Sequence, residues 1–177
     1  YLITGSPLSV TNNLSFLPKL YEFIKVCDQK QKPLLGVCFG HQAIAEALGG
    51  KVKKSSKSWN VGIEKIVNKV EKPWMTPKKN LDLYVFHEDE VVLLPDGCEH
   101  IGKGENCKIS SFSKGKHIFT TQAHPEFNYR FMNAVVEDTK KLLGKKVYEN
   151  TLFSIKKKQQ GNIFAEWSNN FFKMSII

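Results

Sequence analysis

The stretch Leu34-Leu35-Gly36-Val37-Cys38-Phe39-Gly40-His41-Gln42-Ala43-Ile44-Ala45 constrains this chain more than any other. An apolar run ends in a Gly-x-Cys-x-Gly turn, and a helix-forming segment follows at once. The run reads as a buried parallel strand, and the turn as a nucleophile elbow that projects one side chain from the top of a sheet. Glycines at 36 and 40 leave room where such a turn crowds its neighbours. The next helix aims its first free N–H groups and its positive dipole end at any anion that forms there. That setting favours a thiolate at Cys38. The same pattern also describes a buried structural cysteine behind a core strand.

Around this stretch the chain alternates helical and strand-like segments. Tyr1 to Thr4 reads as a short strand ending at the Gly5-Ser6-Pro7 turn. Leu14 to Gln29 has the apolar spacing of an amphipathic helix, and Gly40 to Leu48 is a second one, stopped by Gly49-Gly50. Strands are expected at Lys51 to Lys54, Val61 to Val70, Leu81 to Phe86 and Val91 to Leu94, with His87-Glu88-Asp89-Glu90 as a charged turn. Lys108 to Phe112 and His117 to Thr121 flank a hairpin-like turn at Ser113-Lys114-Gly115-Lys116. Helices are expected over Arg130 to Leu143, closed by Gly144, and over Asn162 to Lys173. With no repeats or obvious linkers, 177 residues make one α/β domain, an open, mostly parallel sheet flanked by helices.

The formal net charge is +9, which raises nucleic acid as a partner. Arg130 is the only arginine, however, and the lysines are spread along the chain in short runs. A solvated lysine surface is the expectation, with no nucleic-acid partner. No apolar run approaches the roughly 20 residues needed to cross a bilayer, so no membrane partner is expected. Cys27, Cys38, Cys98 and Cys107 form no C-x-x-C pair and no zinc-finger spacing. The expectation is a reduced, cytoplasmic protein with no metal and no cofactor.

A cysteine nucleophile needs a base within hydrogen-bonding reach and a third group to orient that base. His124-Pro125-Glu126 offers both in three residues. In an extended segment His124 and Glu126 point the same way, and Pro125 stiffens the link between them. A surface ion pair after a strand would leave the same triplet.

Taken together, the motifs form a recognisable set. Gly-Val-Cys-Phe-Gly-His-Gln at 36 to 42, Gln-Ala-His-Pro-Glu-Phe at 122 to 127 and Thr4-Gly5-Ser6-Pro7 upstream resemble the class I (triad-type) glutamine amidotransferases. The order and separation of the three segments are those of that domain. The resemblance implies a flavodoxin-like fold and hydrolysis of a γ-glutamyl amide through a thioester. It implies Cys38 as nucleophile, His124 as base and then acid, and Glu126 as the group that orients His124. It places the oxyanion hole at the backbone N–H of Phe39 and one from Gly5 or Ser6. It makes Gln42 a substrate-holding residue.

Phe86-His87-Glu88-Asp89-Glu90-Val91 is similar to the His-x-Asp-Glu-Val segment of stand-alone members, the plant γ-glutamyl peptidases and GMP-synthase-like amidotransferases. That likeness implies His87 and Asp89 at the amino-acid end of the substrate. A solvated acidic turn is the plain alternative. The implied partners are glutamine or a γ-glutamyl peptide, with a separate synthetase or acceptor protein for released ammonia.

The chain also departs from the family pattern. Ser6 stands where many amidotransferases have glycine, and Ser58-Trp59-Asn60-Val61-Gly62 replaces a common Gly-x-Glu-x-Gly stretch. The family's opening strand, helix and strand are expected to be missing before Gly5. Two alternatives to glutamine hydrolysis stay open: a γ-glutamyl peptidase acting on glutathione-like conjugates, and a non-catalytic binding or regulatory protein that keeps the fold.

Overall fold

The computed structural model describes residues 1–175. In chain order it begins with β1 (Leu2–Ile3), α1 (Leu17–Gln29), β2 (Leu34–Val37), α2 (Phe39–Ala47) and β3 (Lys51–Lys54). Then come β4 (Asn60–Asn68), β5 (Leu81–His87), β6 (Asp89–Leu93), β7 (Glu99–Lys103), β8 (Ser111–Lys114) and β9 (Ile118–Thr121). Three helices close the described chain: α3 (Tyr129–Asp138), α4 (Lys140–Ser154) and α5 (Gly161–Ser175).

Seven strands form one sheet in the order β1-β2-β9-β8-β7-β4-β5, and β3 pairs with β6 apart from it. Strands β1, β2 and β9 run parallel, and the pairs from β9 outward to β5 are antiparallel. The α/β class and flanking helices are as expected, while the sheet is mixed. The short turn around Gly115, at a φ of 53°, is the reason: a tight hairpin can join only antiparallel strands.

Alternation along the two central parallel strands builds a core on each face. Leu34 and Ile118 point toward α1 and α2, where Ile24, Cys27, Ala43 and Ile44 are buried. Leu35 and Phe119 point the other way, toward Phe164, Trp167 and Phe171 of α5. All four residues of β2 and of β9 are buried, as strands covered on both faces must be. Pro18 sits in the first turn of α1, where its missing N–H costs no helical hydrogen bond.

Several local expectations change. Only Glu88 lies between β5 and β6; Asp89 and Glu90 belong to β6, where they stand opposite Lys54 and Lys53 of β3. The strand expected over Lys108 to Phe112 starts at Ser111 and runs into the anticipated turn. Strand β7 was not expected, because Glu99-His100-Ile101-Gly102-Lys103 carries one large apolar residue and is held by its ladder to β8. The helix expected over Arg130 to Leu143 ends at Asp138. In α4, Gly144 breaks the helical backbone at φ 73° and ψ 161°. A further helical segment continues to Ser154, fixed by tertiary contacts such as Thr151 Oγ1 donating to the Val61 carbonyl at 3.2 Å.

The sheet curls enough for its far strand to meet the residues after β9. The His124 N–H donates to the Tyr84 carbonyl at 2.7 Å, an isolated antiparallel bridge. This brings Phe86 of β5 beside the end of β2. Among the described residues no helix is long and apolar enough to cross a membrane.

Candidate active site

Strand β2 ends at Val37, and Cys38 follows at φ 49° and ψ −102°. A non-glycine residue at positive φ is strained, and such strain gathers where a fold must aim one side chain. Both neighbours hold the strain in place. The Cys38 N–H extends the β2–β9 ladder by donating to Thr121 O at 2.8 Å, and the Cys38 carbonyl accepts the first helical bond from Gln42 N at 3.1 Å. Crowding explains the flanking glycines. A Cβ on Gly36 would meet Ile44 at 2.6 Å, and one on Gly40 would strike the Ile3 backbone. The Phe39 N–H opens α2, so it belongs to the first-turn amides that have no partner within the helix.

His124 lies just past β9, and its Nδ1 is 2.7 Å from Glu126 Oε1. Since that carboxylate accepts, Nδ1 carries the proton and Nε2 is left for Cys38, which approaches the same Gly5 turn as the His124 ring. Burial alone would lower the histidine, but the hydrogen bonds and charges of Cys38 and Glu126 outweigh it, and His124 is pushed up to about 9. The ring stacks on Phe127 at 4.1 Å between centroids, with 15° between the planes. His124 is buried, whereas Glu126 is about half exposed. The three residues singled out from sequence therefore meet in space.

The Gly5–Ser6 turn closes over them. A Cβ on Gly5 would stand 2.6 Å from His124 Cε1 and 3.6 Å from Cys38 Cβ, so only glycine permits this approach. Ser6 Oγ accepts from Leu8 N at 3.1 Å and fixes the turn's exit. Gly5, Ser6, His124 and Glu126 line a cavity of about 790 Å³, together with Phe86, Phe127, Phe131 and Phe164.

The residues expected to hold substrate lie deeper. Gln42 is buried, and its Nε2 donates to Asp89 O at 2.9 Å and to Gln122 Oε1 at 3.1 Å. His87 is buried too, with Nδ1 2.9 Å from Asp89 O and Nε2 3.2 Å from Asn60 Nδ2. A carbonyl can only accept, so His87 carries its proton on Nδ1, and burial pushes it down to about 4. Both side chains thus bind the backbone of Asp89 and lie away from the cavity wall. Asp89 itself accepts from Ser9 Oγ through Oδ2, while its buried Oδ1 has no hydrogen-bond partner among the described residues. A bare, buried carboxylate oxygen is costly and calls for a donor.

Two contacts to the sulfur were not anticipated. Gln122 Nε2 lies 3.6 Å from Cys38 Sγ, and Phe86 O lies 3.9 Å from it. The first had a partial signal in the sequence, since Gln122 stands two residues before His124. The expected extended run does not continue, because the chain turns at Pro125–Glu126, closed by the Phe127 N–H donating to His124 O at 3.3 Å. The second depends on the curl of the sheet, which no local pattern encodes. Among the described residues, no group of three His, Cys, Asp or Glu side chains is arranged to hold a metal ion.

Known proteins resemble this chain over most of its length. The sequence profile of glutamine amidotransferase class-I matches residues 1–140. Gamma-glutamyl peptidase 3 of Arabidopsis thaliana is 31% identical over 149 residues, covering 77% of this chain and 58% of the relative. A glutamine-hydrolysing GMP synthase subunit of Sulfolobus acidocaldarius is 34% identical over 128 residues, 71% of this chain and 65% of that one. The chain thus spans somewhat over half the length of these curated relatives. A solved glutamine amidotransferase from Methylobacillus flagellatus superposes with a TM-score of 0.79 at 21% identity, over 97% of this chain and 73% of its own. At that identity the likeness speaks for the fold.

Proposed function

This chain belongs to the class-I glutamine amidotransferase family, and from that premise we propose that it hydrolyses a γ-glutamyl amide through a thioester on Cys38. The observation that carries the reading is the position of His124, 2.7 Å from Glu126 on one side and sharing with Cys38 the close approach to Gly5 on the other. The thiol proton passes to His124, whose value of about 9 favours the imidazolium beside the sulfur, and Sγ attacks the γ-carbonyl carbon. The negative charge gathering on the carbonyl oxygen is met by the Phe39 N–H and by an N–H of the Gly5–Ser6 turn. Donors aimed at developing charge act in the transition state, and one such donor is worth about 3 kcal/mol. His124 then returns the proton to the leaving nitrogen, the C–N bond breaks, and ammonia or an amine departs. Water, deprotonated by His124, attacks the thioester and releases glutamate with the thiol restored. Glu126 keeps the imidazole in the working tautomer throughout.

Asp89 fits the amino-acid end of such a substrate. Its Oδ1 is unpartnered but buried and off the cavity wall, so an α-ammonium group finds its acceptor there once the Ser9 loop, which is tied to the same carboxylate, gives way. His87 and Gln42 hold the Asp89 backbone and thereby the height of that carboxylate.

Glutamine is the first substrate class. A larger γ-glutamyl conjugate is the second, favoured by the apolar cavity that begins at His124. The relative named as part of a GMP synthase supports a synthetase partner that receives the ammonia. The test compares ammonia release from glutamine with amine release from γ-glutamyl peptides, for the protein and for Cys38→Ala. Turnover of either substrate that disappears in Cys38→Ala supports the reading. A folded chain inert toward both, or one whose turnover survives Cys38→Ala, overturns it and favours a binding or regulatory role.

A further inference from the structure

We propose that Gln122 is a dedicated hydrogen-bond donor to the Cys38 sulfur, held in that role by Gln42. The inference rests on the thiol-hydrolase reading and adds to it a residue outside the Cys38, His124 and Glu126 set.

Three observations converge on the amide of Gln122. The residue is fully buried directly after β9, its backbone N–H bonded to Ser110 O at 2.7 Å, so the side chain has no solvent to turn toward. Its Nε2 is 3.6 Å from Cys38 Sγ, and its Oε1 is 3.1 Å from Gln42 Nε2. The orientation of both amides follows from chemistry. Asp89 O, 2.9 Å from Gln42, is a carbonyl and can only accept, so the Gln42 nitrogen must face it. The second hydrogen of that nitrogen then reaches Gln122, which must present its oxygen there. The Gln122 nitrogen is thereby forced to the sulfur side.

The consequence differs between the two forms of the sulfur. A thiol can donate its hydrogen toward Phe86 O, 3.9 Å away. A thiolate has nothing to donate and is repelled by that carbonyl, so it needs N–H groups. His124 supplies one and Gln122 the other. The imidazole must leave its proton with the departing nitrogen, whereas an amide N–H stays on the sulfur throughout. Gln122 therefore holds Sγ in line while His124 shuttles. Because the chain of bonds runs Asp89–Gln42–Gln122–Cys38, the carboxylate read as the substrate's ammonium acceptor and the nucleophile share one rigid support.

The experiment is the pH dependence of Cys38 alkylation by iodoacetamide, resolved by peptide mass spectrometry in the intact protein, Gln122→Met and Gln42→Met. Methionine keeps the length and removes the donor. The expected result for Gln122→Met is an upward shift of about one pH unit in the alkylation midpoint, roughly tenfold slower reaction below it. Glutamine turnover should fall in kcat with KM nearly unchanged. Gln42→Met should shift the midpoint the same way by less, and it carries the test if Gln122→Met does not fold. Selective reaction at Cys38 in the intact protein with an unmoved midpoint in the folded variants overturns the role of Gln122 alone, even if their melting temperatures drop. If the intact protein alkylates Cys38 no faster than Cys27, Cys98 and Cys107, the thiol-hydrolase reading falls and this inference with it.

Discussion

The backbone N–H of His124 donates to the carbonyl of Tyr84 at 2.7 Å, joining the end of β9 to β5 across the mouth of a curled sheet. No strand ladder runs between these segments, so this bridge sets how closely β5 approaches the elbow. It brings Phe86, two residues beyond Tyr84, against the Cys38 sulfur, and it aims the His124 ring back at Cys38. The elbow strain at Cys38 is thus held from both sides, by Thr121 of β9 through its N–H and by β5 through its side chain.

Replacing Glu126 with Gln keeps an acceptor for Nδ1 but removes the charge that raises His124. The histidine should titrate below its present value of about 9, and hydrolysis should drop by about 10²-fold or more. The sign of the stability effect follows from the raised value. Stabilisation from protonated His124 is complete below the ordinary 6.5 and is lost as pH rises through about 9. An NMR titration of the His124 ring together with a rate measurement checks both, and an unaltered rate would remove Glu126 from the mechanism.

Gly5→Ala puts a methyl group 2.6 Å from His124 Cε1, and neither the ring nor the turn can yield without moving an N–H of the proposed oxyanion hole. The expected cost in folding stability is about 1–3 kcal/mol. The expected loss in turnover is about 10²–10³-fold, mainly in kcat. Denaturant melts and steady-state kinetics on the same preparation separate the two, and wild-type kcat would place the hole elsewhere.

Asp89→Asn keeps the shape and the Ser9 contact but removes the negative charge from Oδ1. A substrate with a free α-ammonium should show KM raised by about tenfold or more, with kcat changed far less. An α-N-acetylated substrate should be indifferent to the substitution. Equal sensitivity of both substrates would detach Asp89 from ammonium recognition.

Acid should unfold the protein through its buried histidines. Burial pushes His41 down to about 3 and His87 down to about 4, outweighing bonds to backbone carbonyls that act in the opposite direction. Both should take up protons on unfolding as pH falls below the ordinary 6.5, about two per molecule near pH 5. Their contribution is present above 6.5 and is lost progressively toward pH 4 and 3. Melting temperature measured from about pH 7 to about pH 4 should fall steeply, and His41→Gln should flatten the slope; a level curve for the native chain would contradict this.

Much of the site was legible because its chemistry is local. Cys38 announces itself through the glycines that a strained turn demands, and His124 and Glu126 through their closeness in a triplet, although a turn and not strand alternation brings them together. The parallel core was legible for a similar reason, since β2 is apolar on both faces. What escaped depends on contacts between distant segments. Gln42 reads as a substrate ligand until Asp89 and Gln122, far along the chain, are seen to take its two amide hydrogens. Asp89 looks like part of a charged turn because the lysines of β3 that pair its strand lie well before it. Strand β7 and the second half of α4 lack a clear apolar period and are held by their neighbours, so their sequences alone carry little signal.

The most direct measurement is mass spectrometry of the protein acid-quenched during turnover of glutamine or a γ-glutamyl peptide, followed by peptide mapping. The account predicts a glutamyl group on Cys38 and on none of Cys27, Cys98 or Cys107, absent in Cys38→Ala. Product released while Cys38 stays unmodified, with turnover preserved in Cys38→Ala, would contradict it.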